Sequence, residues 1–193
     1  MAMARSLTSG AASPAAPSEA RRPRRGRRRY TLRMATPRFA VTASPLDAAA
    51  VAAAATDGLE SVGGIVTFTG VVRPENAGRR VLSLDYEAYG PLAVRAFEII
   101  DAEAAGRWPA TRLAIHHRTG PLQIGDTSIV IVAASAHRSP AFEACRYAIE
   151  RVKQIAPIWK HEHFEGGDVW IEGATARPDD EGARAEALSR ACG

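Results

Sequence analysis

The chain has 193 residues, enough for one domain of ordinary size with an appendage. Its net charge of +4 is unevenly distributed, because nine of the 25 basic residues lie between Arg21 and Arg38. From Phe39 onward the chain carries 15 basic and 20 acidic residues, so the basic pI does not indicate a basic folded surface.

Cysteine use and hydropathy exclude further classes. Cys145 and Cys192 form no CxxC or CxxH spacing, so neither a disulfide framework nor a zinc site is indicated. No apolar run approaches the roughly 18 residues of a membrane span. We expect a reducing, cytoplasmic location, with organelle targeting by the N-terminal segment left open.

Residues 1–37 are rich in Ala, Ser, Pro, Gly and Arg and contain one acid, Glu19. Such a segment buries too little apolar surface to offset its chain entropy, so we predict disorder. Three interpretations stay open: a start codon placed too early, with Met34 as the true start; a transit peptide; or an arginine-rich arm that binds nucleic acid. A twin-arginine export signal is disfavoured, because no apolar stretch follows the arginines.

Residues 38–175 show mixed strand and helix signals, and residues 176–193 are predicted to be a charged tail or frayed helix. Serine followed by proline predicts N-caps at Ser44 and Ser139, and Gly70 suggests a bulge or a close backbone approach. In chain order we predict a strand at 39–42, a helix from 44 to about 56, a strand at 65–72, a polar loop at 74–80, a strand at 81–89, a helix from 91 to about 106, strands at 113–117 and 128–136, a helix from 139 to about 155, an extended segment at 158–164 and a strand at 169–171.

Strands outnumber helices in this order and do not alternate regularly with them. This pattern favours an α+β fold, a single domain with a mixed or antiparallel sheet and packed helices, over a doubly wound parallel sheet.

The two lysines of the chain, Lys153 and Lys160, lie seven residues apart, whereas arginine occurs 23 times. On a helical wheel Lys153 projects about 20° from Phe142, inside a predicted apolar stripe that also contains Cys145. Burial there would lower the pKa of the Lys153 amine and make it reactive. The alternative is a lysine whose stem packs while its ammonium group reaches water.

Three further groups of polar residues are candidate sites. His137 and Arg138 precede a helix start, where free backbone N–H groups favour an anion such as phosphate. Arg73 follows a strand end, a common place for binding residues. His161 and His163 are a candidate metal pair on one strand face, but no third ligand has suggestive spacing, so we predict no metal. The pair His116-His117 is interpreted as structural.

Taken together, these segments resemble one family, the large catalytic subunit of molybdopterin synthase, the MoaE family. The similarity extends over about residues 40–172. The matching stretches are Val66–Arg73, Leu84–Tyr89, His117–Asp126, His137–Phe142, Ile149–Lys153 and Pro157–Lys160.

The resemblance implies a fold of the α/β-hammerhead type and a function. Members convert cyclic pyranopterin monophosphate (precursor Z) into molybdopterin by inserting two sulfurs as a dithiolene. The sulfur is carried as a thiocarboxylate on the C-terminal glycine of a small ubiquitin-like subunit of the MoaD type. The resemblance further implies a heterotetramer around a dimer of large subunits, with no cofactor, metal, nucleic acid or membrane involved. The small subunit would be a separate chain.

Carried over by motif, the resemblance implies site residues of two kinds. Lys153 and Lys160 would be the catalytic pair. The substrate-binding residues would be Val71, Val72, Arg73, His137, Arg138, His161 and Glu162. Three rival functions remain: a nucleic-acid-binding protein led by the arginine-rich tail, an unrelated Schiff-base enzyme using Lys153, and a paralogue with a changed partner.

Overall fold

The computed structural model describes residues 35–171 and 173–192. The chain divides into two units, Met1–Arg33 and Met34–Gly193, and nearly all of the second is described. The predicted disordered tail therefore lies outside the described residues except for 35–37, where the carbonyl oxygen of Pro37 lies 2.8 Å from Nε2 of His116. The elements are β1 (Phe39–Thr42), α1 (Ala48–Thr56), β2 (Gly64–Val71), β3 (Glu75–Asn76), β4 (Arg79–Ala88), α2 (Gly90–Arg107), β5 (Arg112–Arg118), β6 (Gly120–Gln123), β7 (Thr127–Ser135), α3 (Arg138–Ile155), β8 (Ile158–Phe164), β9 (Gly167–Ile171) and α4 (Glu181–Cys192).

The first sheet has the strand order β1-β5-β7-β2, in which β1 runs parallel to β5 and the other pairs are antiparallel. Its central strands are covered on both faces, by α1 on one side and by α2 and α3 on the other. Burial on both faces explains why β7 is a continuous apolar run rather than an alternating one. The α2 and α3 side receives Ile129, Ile131 and Ala133, whereas the α1 side receives Val130, Val132 and Ala134.

The second sheet has the order β3-β4-β8-β9, with β6 also paired to β4. It has a small core of its own, formed by Val72, Val81, Leu84 and Leu122. The predicted α+β class is confirmed, with a mixed first sheet and an antiparallel second sheet. None of the helices in residues 35–171 and 173–192 is long and apolar enough to cross a membrane.

Both predicted serine N-caps are wrong. In α1 the carboxylate of Asp47 accepts hydrogen bonds from the backbone N–H groups of Ala49 and Ala50, so the helix begins after Asp47. In α3 the N-cap is His137, and Ser139 instead donates from its hydroxyl to Glu143. Proline at position 140 fits inside the first turn, because the N–H groups there have no partner within the helix.

Strands β3 and β6 were not predicted from the sequence. The predicted loop at 74–80 is a tight hairpin of β3 and β4, whose turn residues Ala77 and Gly78 both have positive φ, 50° and 74°. This geometry suits a two-residue hairpin, although alanine seldom adopts it. Strand β6 contains Pro121, which is tolerated because this strand pairs only with β4 and is therefore an edge strand.

The predicted C-terminal tail contains a helix that packs against the domain. In α4, Ala187 is fully buried in the main core, and Arg190 forms an ion pair with Glu150 of α3 at 3.1 Å. The end of the chain thereby covers one side of α3.

Candidate functional site

A cavity of about 820 Å³ lies between the two sheets. Its walls are the end of β2, the C-terminal part of α3 and the facing sides of β4 and β8. Gly70 contributes to this shape, because β2 has a register shift between Gly70 and Val71, and a Cβ at Gly70 would lie 2.6 Å from Ile129. The bulge and close approach predicted for Gly70 are therefore confirmed, and they turn Val71, Val72 and Arg73 into the cavity.

Three cationic side chains line this cavity: Arg73, Lys153 and Lys160. Lys153 and Arg73 are exposed and have no ion-pair partner among the described residues. Lys160 is half-buried, and its ammonium group lies 3.4 Å from Oε2 of Glu162. Two carboxylates, Glu75 and Glu162, also line the cavity, so it carries one excess positive charge, which suits an anionic ligand.

Glu162 is the most enclosed charge of the cavity. Its side chain is about 1% exposed, and its Oε2 accepts a hydrogen bond from the amide of Asn76 at 2.9 Å. Its other oxygen, Oε1, lies 3.9 Å from the guanidinium of Arg79, too far for a hydrogen bond. The β3–β4 hairpin therefore covers Glu162 and keeps its carboxylate against Lys160.

An aromatic ring and an imidazole lie beside Lys160, because Tyr86 is the cross-strand partner of Lys160. Tyr86 of β4 and His117 of β5 pack edge to face, with ring centroids 5.0 Å apart, and both line the cavity. Burial lowers the pKa of His117 to about 4, and its Nδ1 lies 2.8 Å from the carbonyl oxygen of Arg118. A neutral imidazole then donates from Nδ1 and leaves Nε2 as an acceptor. Burial also raises the pKa of Tyr86.

Three residues that line the cavity, and Arg79 beside Glu162, were not predicted as site residues from the sequence. His117 was interpreted as structural, and Tyr86, Asn76 and Arg79 were assigned no role. The alternation of β4 could have identified Tyr86, since Leu84 and Tyr86 share the face that lines the cavity. Nothing in the sequence indicated that Asn76 and Arg79 would lie over Glu162.

Lys153 is placed differently from the prediction. The wheel put Lys153 beside Phe142, and both side chains do lie on one helix face, but that face is exposed: Phe142 is 62% exposed. Two other members of the predicted stripe, Cys145 and Val152, do enter the core, and burial raises the pKa of the Cys145 thiol to about 11. The predicted burial of Lys153 and Phe142 is therefore wrong for this single chain.

The structure brings together six of the nine predicted site residues. They are Val71, Val72, Arg73, Lys153, Lys160 and Glu162. His161 does not line the cavity, because successive side chains of a strand point to opposite faces and its neighbours Lys160 and Glu162 occupy the inner one. The prediction that placed His161 in the cavity is thus corrected.

His137 and Arg138 lie at the far end of α3. Fifteen residues separate Arg138 from Lys153, which is about 22 Å along a helix axis. Strand β2 gives an independent measure: a Cβ at Gly64 would lie 3.2 Å from Cα of Arg138, whereas Val71, about 23 Å further along the strand, lines the cavity. Within one chain, His137 and Arg138 do not join the lysines.

Similarity to known proteins assigns the fold to a family. The family model described as MoaE protein matches residues 41–155. The chain belongs to the MoaE family. The molybdopterin synthase catalytic subunit of Nostoc sp. is 44% identical over 135 residues, covering 69% of this chain and 81% of the relative. The protein of the same name from Bacillus subtilis is 50% identical over 109 residues, covering 56% and 69%.

A solved structure agrees with this membership in the MoaE family. The crystal structure of molybdopterin synthase from Staphylococcus aureus superposes with a TM-score of 0.67 and 39% sequence identity, covering 70% of this chain and 98% of that chain. A MoaE protein from Burkholderia ambifaria has a TM-score of 0.62 and 30% identity, covering 78% and 97%. The family fold therefore accounts for most of the described residues.

Proposed function

We propose that this protein is the catalytic subunit of a molybdopterin synthase. It transfers sulfur from the C-terminal thiocarboxylate of a small ubiquitin-like subunit to cyclic pyranopterin monophosphate, forming the dithiolene of molybdopterin. The observation that carries the proposal is the convergence of Lys153, Lys160 and Arg73 on one cavity in a MoaE-family chain.

The charge of the cavity fits both reactants. The pterin substrate carries a phosphate and the sulfur donor ends in a thiocarboxylate, so both bring negative charge to a cavity with three cations. Arg73 is suited to the phosphate, because its guanidinium presents paired donors. An extended glycine tail fits the opening beside Lys153, where the amine can either attack the thiocarboxylate carbon or transfer a proton.

Lys160 and Glu162 form the second functional pair. Their separation of 3.4 Å allows a proton to move between ammonium and carboxylate as the charge of the bound reactants changes. The amide of Asn76 keeps Oε2 of Glu162 in place. Tyr86 and neutral His117 provide two ring surfaces inclined by 69° and one acceptor nitrogen, which suits contact with a pterin ring.

A second copy of the chain supplies His137 and Arg138 in this proposal. Strand β2 is an edge strand, and Phe68 (37% exposed) lies on its α3 side, where it is paired with Ile131. Phe142 of α3 is also exposed on this side, and uncovered apolar edges of this kind favour association. In a two-fold dimer through this surface, Arg138 of one copy approaches the cavity of the other.

Single-turnover formation of molybdopterin tests the reaction. Purified protein is mixed with precursor Z and a thiocarboxylated small subunit, and wild type is compared with Lys153→Ala and Lys153→Arg. We expect product from wild type and a fall of at least about 100-fold in both variants, because arginine keeps the charge but not a transferable proton. Arg146→Ala, at an exposed position on the same helix, is the matched control and retains activity.

Two outcomes would redirect the proposal. Full activity in Lys153→Ala would remove this amine from the chemistry, and absence of product from wild type with a competent donor would indicate a changed partner or function. Borohydride added without the small subunit would trap a substrate on Lys153 if the protein were a Schiff-base enzyme, and we expect no adduct.

Mixing two inactive variants tests the shared site. Chains carrying Lys153→Ala and chains carrying Arg138→Ala are unfolded together and refolded. If the cavity uses Arg138 of the second copy, half of the sites in mixed dimers are intact, so activity returns to about a quarter of wild type. No recovery would show that Arg138 acts within its own chain, whereas activity of Arg138→Ala by itself would show that Arg138 has no role.

A further inference from the structure

The outer face of the second sheet carries a cluster of histidine and aspartate that the sulfur-transfer cavity does not use. His161 and His163 are two residues apart on β8, and Asp168 of β9 is paired with His163 across the β8–β9 hairpin. Asp85 of β4 is paired with His161 on the other side. Because paired residues point to the same face of a sheet, three adjacent strands contribute to one surface cluster.

The distances within this cluster are close to those of a metal site. One ligand atom each of His161, His163 and Asp168 can be chosen so that all three lie within 4.8 Å of one another. Nε2 of His161 lies 3.4 Å from Oδ2 of Asp168. Ligands about 2.0–2.2 Å from a tetrahedral ion are separated by roughly 3.4 Å, so this pair already has the required spacing. Side-chain rotation alone can bring in the third ligand.

Neighbouring groups hold the two imidazoles in place. Oδ2 of Asp85 lies 2.9 Å from Nε2 of His163, so a proton on that nitrogen leaves Nδ1 of the ring as the ligand. The ring of His161 stacks on Trp170, with centroids 4.4 Å apart and planes 9° from parallel. Such support from a carboxylate and a packed ring is typical of metal-binding histidines.

We propose that His161, His163 and Asp168 bind a divalent transition-metal cation of the Zn²⁺ type, with Asp85 orienting His163. Two imidazole nitrogens and one carboxylate oxygen favour Zn²⁺, Co²⁺ or Ni²⁺ over Mg²⁺ and Ca²⁺, which prefer oxygen ligands. Three protein ligands leave a fourth position for water or for a ligand from another molecule. The sequence analysis set this site aside because Asp168 reaches the histidines only through the fold of the hairpin.

The site is separate from the cavity but shares a strand with it. On β8, Lys160 and Glu162 face the cavity, whereas His161 and His163 face outward. A bound ion would tie β8 to β9, and Lys160 is itself paired with Ile171 of β9. The ion would therefore stabilise the hairpin that carries Lys160 without touching the reactants.

Binding to tag-free, full-length protein tests the proposal, with Zn²⁺ and Co²⁺ as probes. Calorimetry and equilibrium dialysis should give one ion per chain, and Co²⁺ should produce the visible absorption of a site with nitrogen and oxygen ligands. Co²⁺ should also quench the fluorescence of Trp170, which stacks on His161. The melting temperature should rise on addition of Zn²⁺, since the folded state binds the ion, whereas Mg²⁺ should leave it unchanged.

Single variants show whether the ligands are the ones proposed. His163→Gln and Asp168→Asn should each weaken Zn²⁺ binding at least about 10-fold. His137→Gln, which changes an exposed histidine at the far end of α3, is the matched control and should bind like wild type.

Three outcomes would overturn the site. They are no binding of either ion, binding that all variants retain, or binding that His137→Gln also loses. Trp170→Phe keeps a ring against His161 and should reduce the quenching without abolishing binding, with the remainder due to Trp159 on the same face of β8. This variant separates a local signal from a general effect of the metal on the protein.

Discussion

Strand β8 has two faces of similar chemistry and different surroundings. Its inner face carries Lys160, whose ammonium group lies 3.4 Å from the carboxylate of Glu162. Its outer face carries His161 and His163, and each imidazole lies within 3.4 Å of an aspartate carboxylate. The side chain of Glu162 is about 1% exposed, whereas that of Asp168, the partner of His161, is 60% exposed. Because the β3–β4 hairpin encloses the pair Lys160 and Glu162, removing one of the two charges should destabilise the folded protein more than removing a charge from the outer face.

The largest effect is expected on the inner face. Glu162→Ala removes the acceptor of Asn76 and the counter-charge of Lys160 from a buried place, and breaking such a pair costs about 3 kcal/mol. For a domain of this size the melting temperature should fall by roughly 10 °C. Thermal unfolding followed by circular dichroism measures the fall.

Glu162→Gln is the matched control for this substitution. Its amide oxygen still accepts from Asn76 but carries no charge, so it should lose less stability than the alanine variant while its single-turnover rate still falls. Equal stability of wild type and Glu162→Ala would show that burial of this carboxylate under the β3–β4 hairpin does not make it important for stability.

The fold was predictable where short-range patterns decide it. The strand at Phe39–Thr42 and the end of α1 at Thr56 are confirmed to the residue. Both depend on residues that are close together in the sequence. The N-caps were wrong because Ser44 and Asp47 both suit a cap, and only the register of the packed helix chooses between them. Strand β6 was missed because its pairing to β4 is a long-range contact.

The site was predictable as a set of residues but not as an arrangement. Motifs indicated Lys153, Lys160 and Arg138, and the wheel correctly placed Lys153 beside Phe142. A helical wheel gives the angle between side chains but not which other elements cover them. It therefore could not show that the face with Phe142 and Lys153 is exposed to solvent in a single chain. The predicted helix from 139 to about 155 already implied about 22 Å between Arg138 and Lys153, and placing both residues in one site of one chain did not take this into account.

A smaller, pH-dependent effect is expected from His117, which lines the cavity and packs against Tyr86. Its pKa is about 4 in the folded protein and about 6.5 when unfolded, so the unfolded chain binds more protons between these values. His117 therefore lowers stability as the pH falls from 6.5 to 4, by at most about 3 kcal/mol. Urea unfolding at a series of pH values measures this slope.

Two variants isolate the contribution of His117 from that of other acids and bases. His117→Gln should flatten the stability profile between pH 6.5 and 4 relative to wild type, whatever its stability at pH 7. Tyr86→Phe keeps the histidine and its edge-to-face contact, so it should keep the slope. Parallel profiles for wild type and His117→Gln would show that this imidazole is not held neutral.

The smallest effect is expected on the outer face of β8. Asp168→Asn removes a carboxylate that lies 3.4 Å from His161 but is mostly exposed, and solvent-exposed pairs contribute less than about 1 kcal/mol. In buffer treated with chelator, its free energy of unfolding should therefore match wild type within that margin. With Zn²⁺ present, wild type should gain stability and Asp168→Asn should gain much less, because the ion requires the carboxylate. A large loss without metal would instead mean that the outer cluster supports the fold as strongly as Glu162 does, and the contrast between the two faces of β8 would not hold.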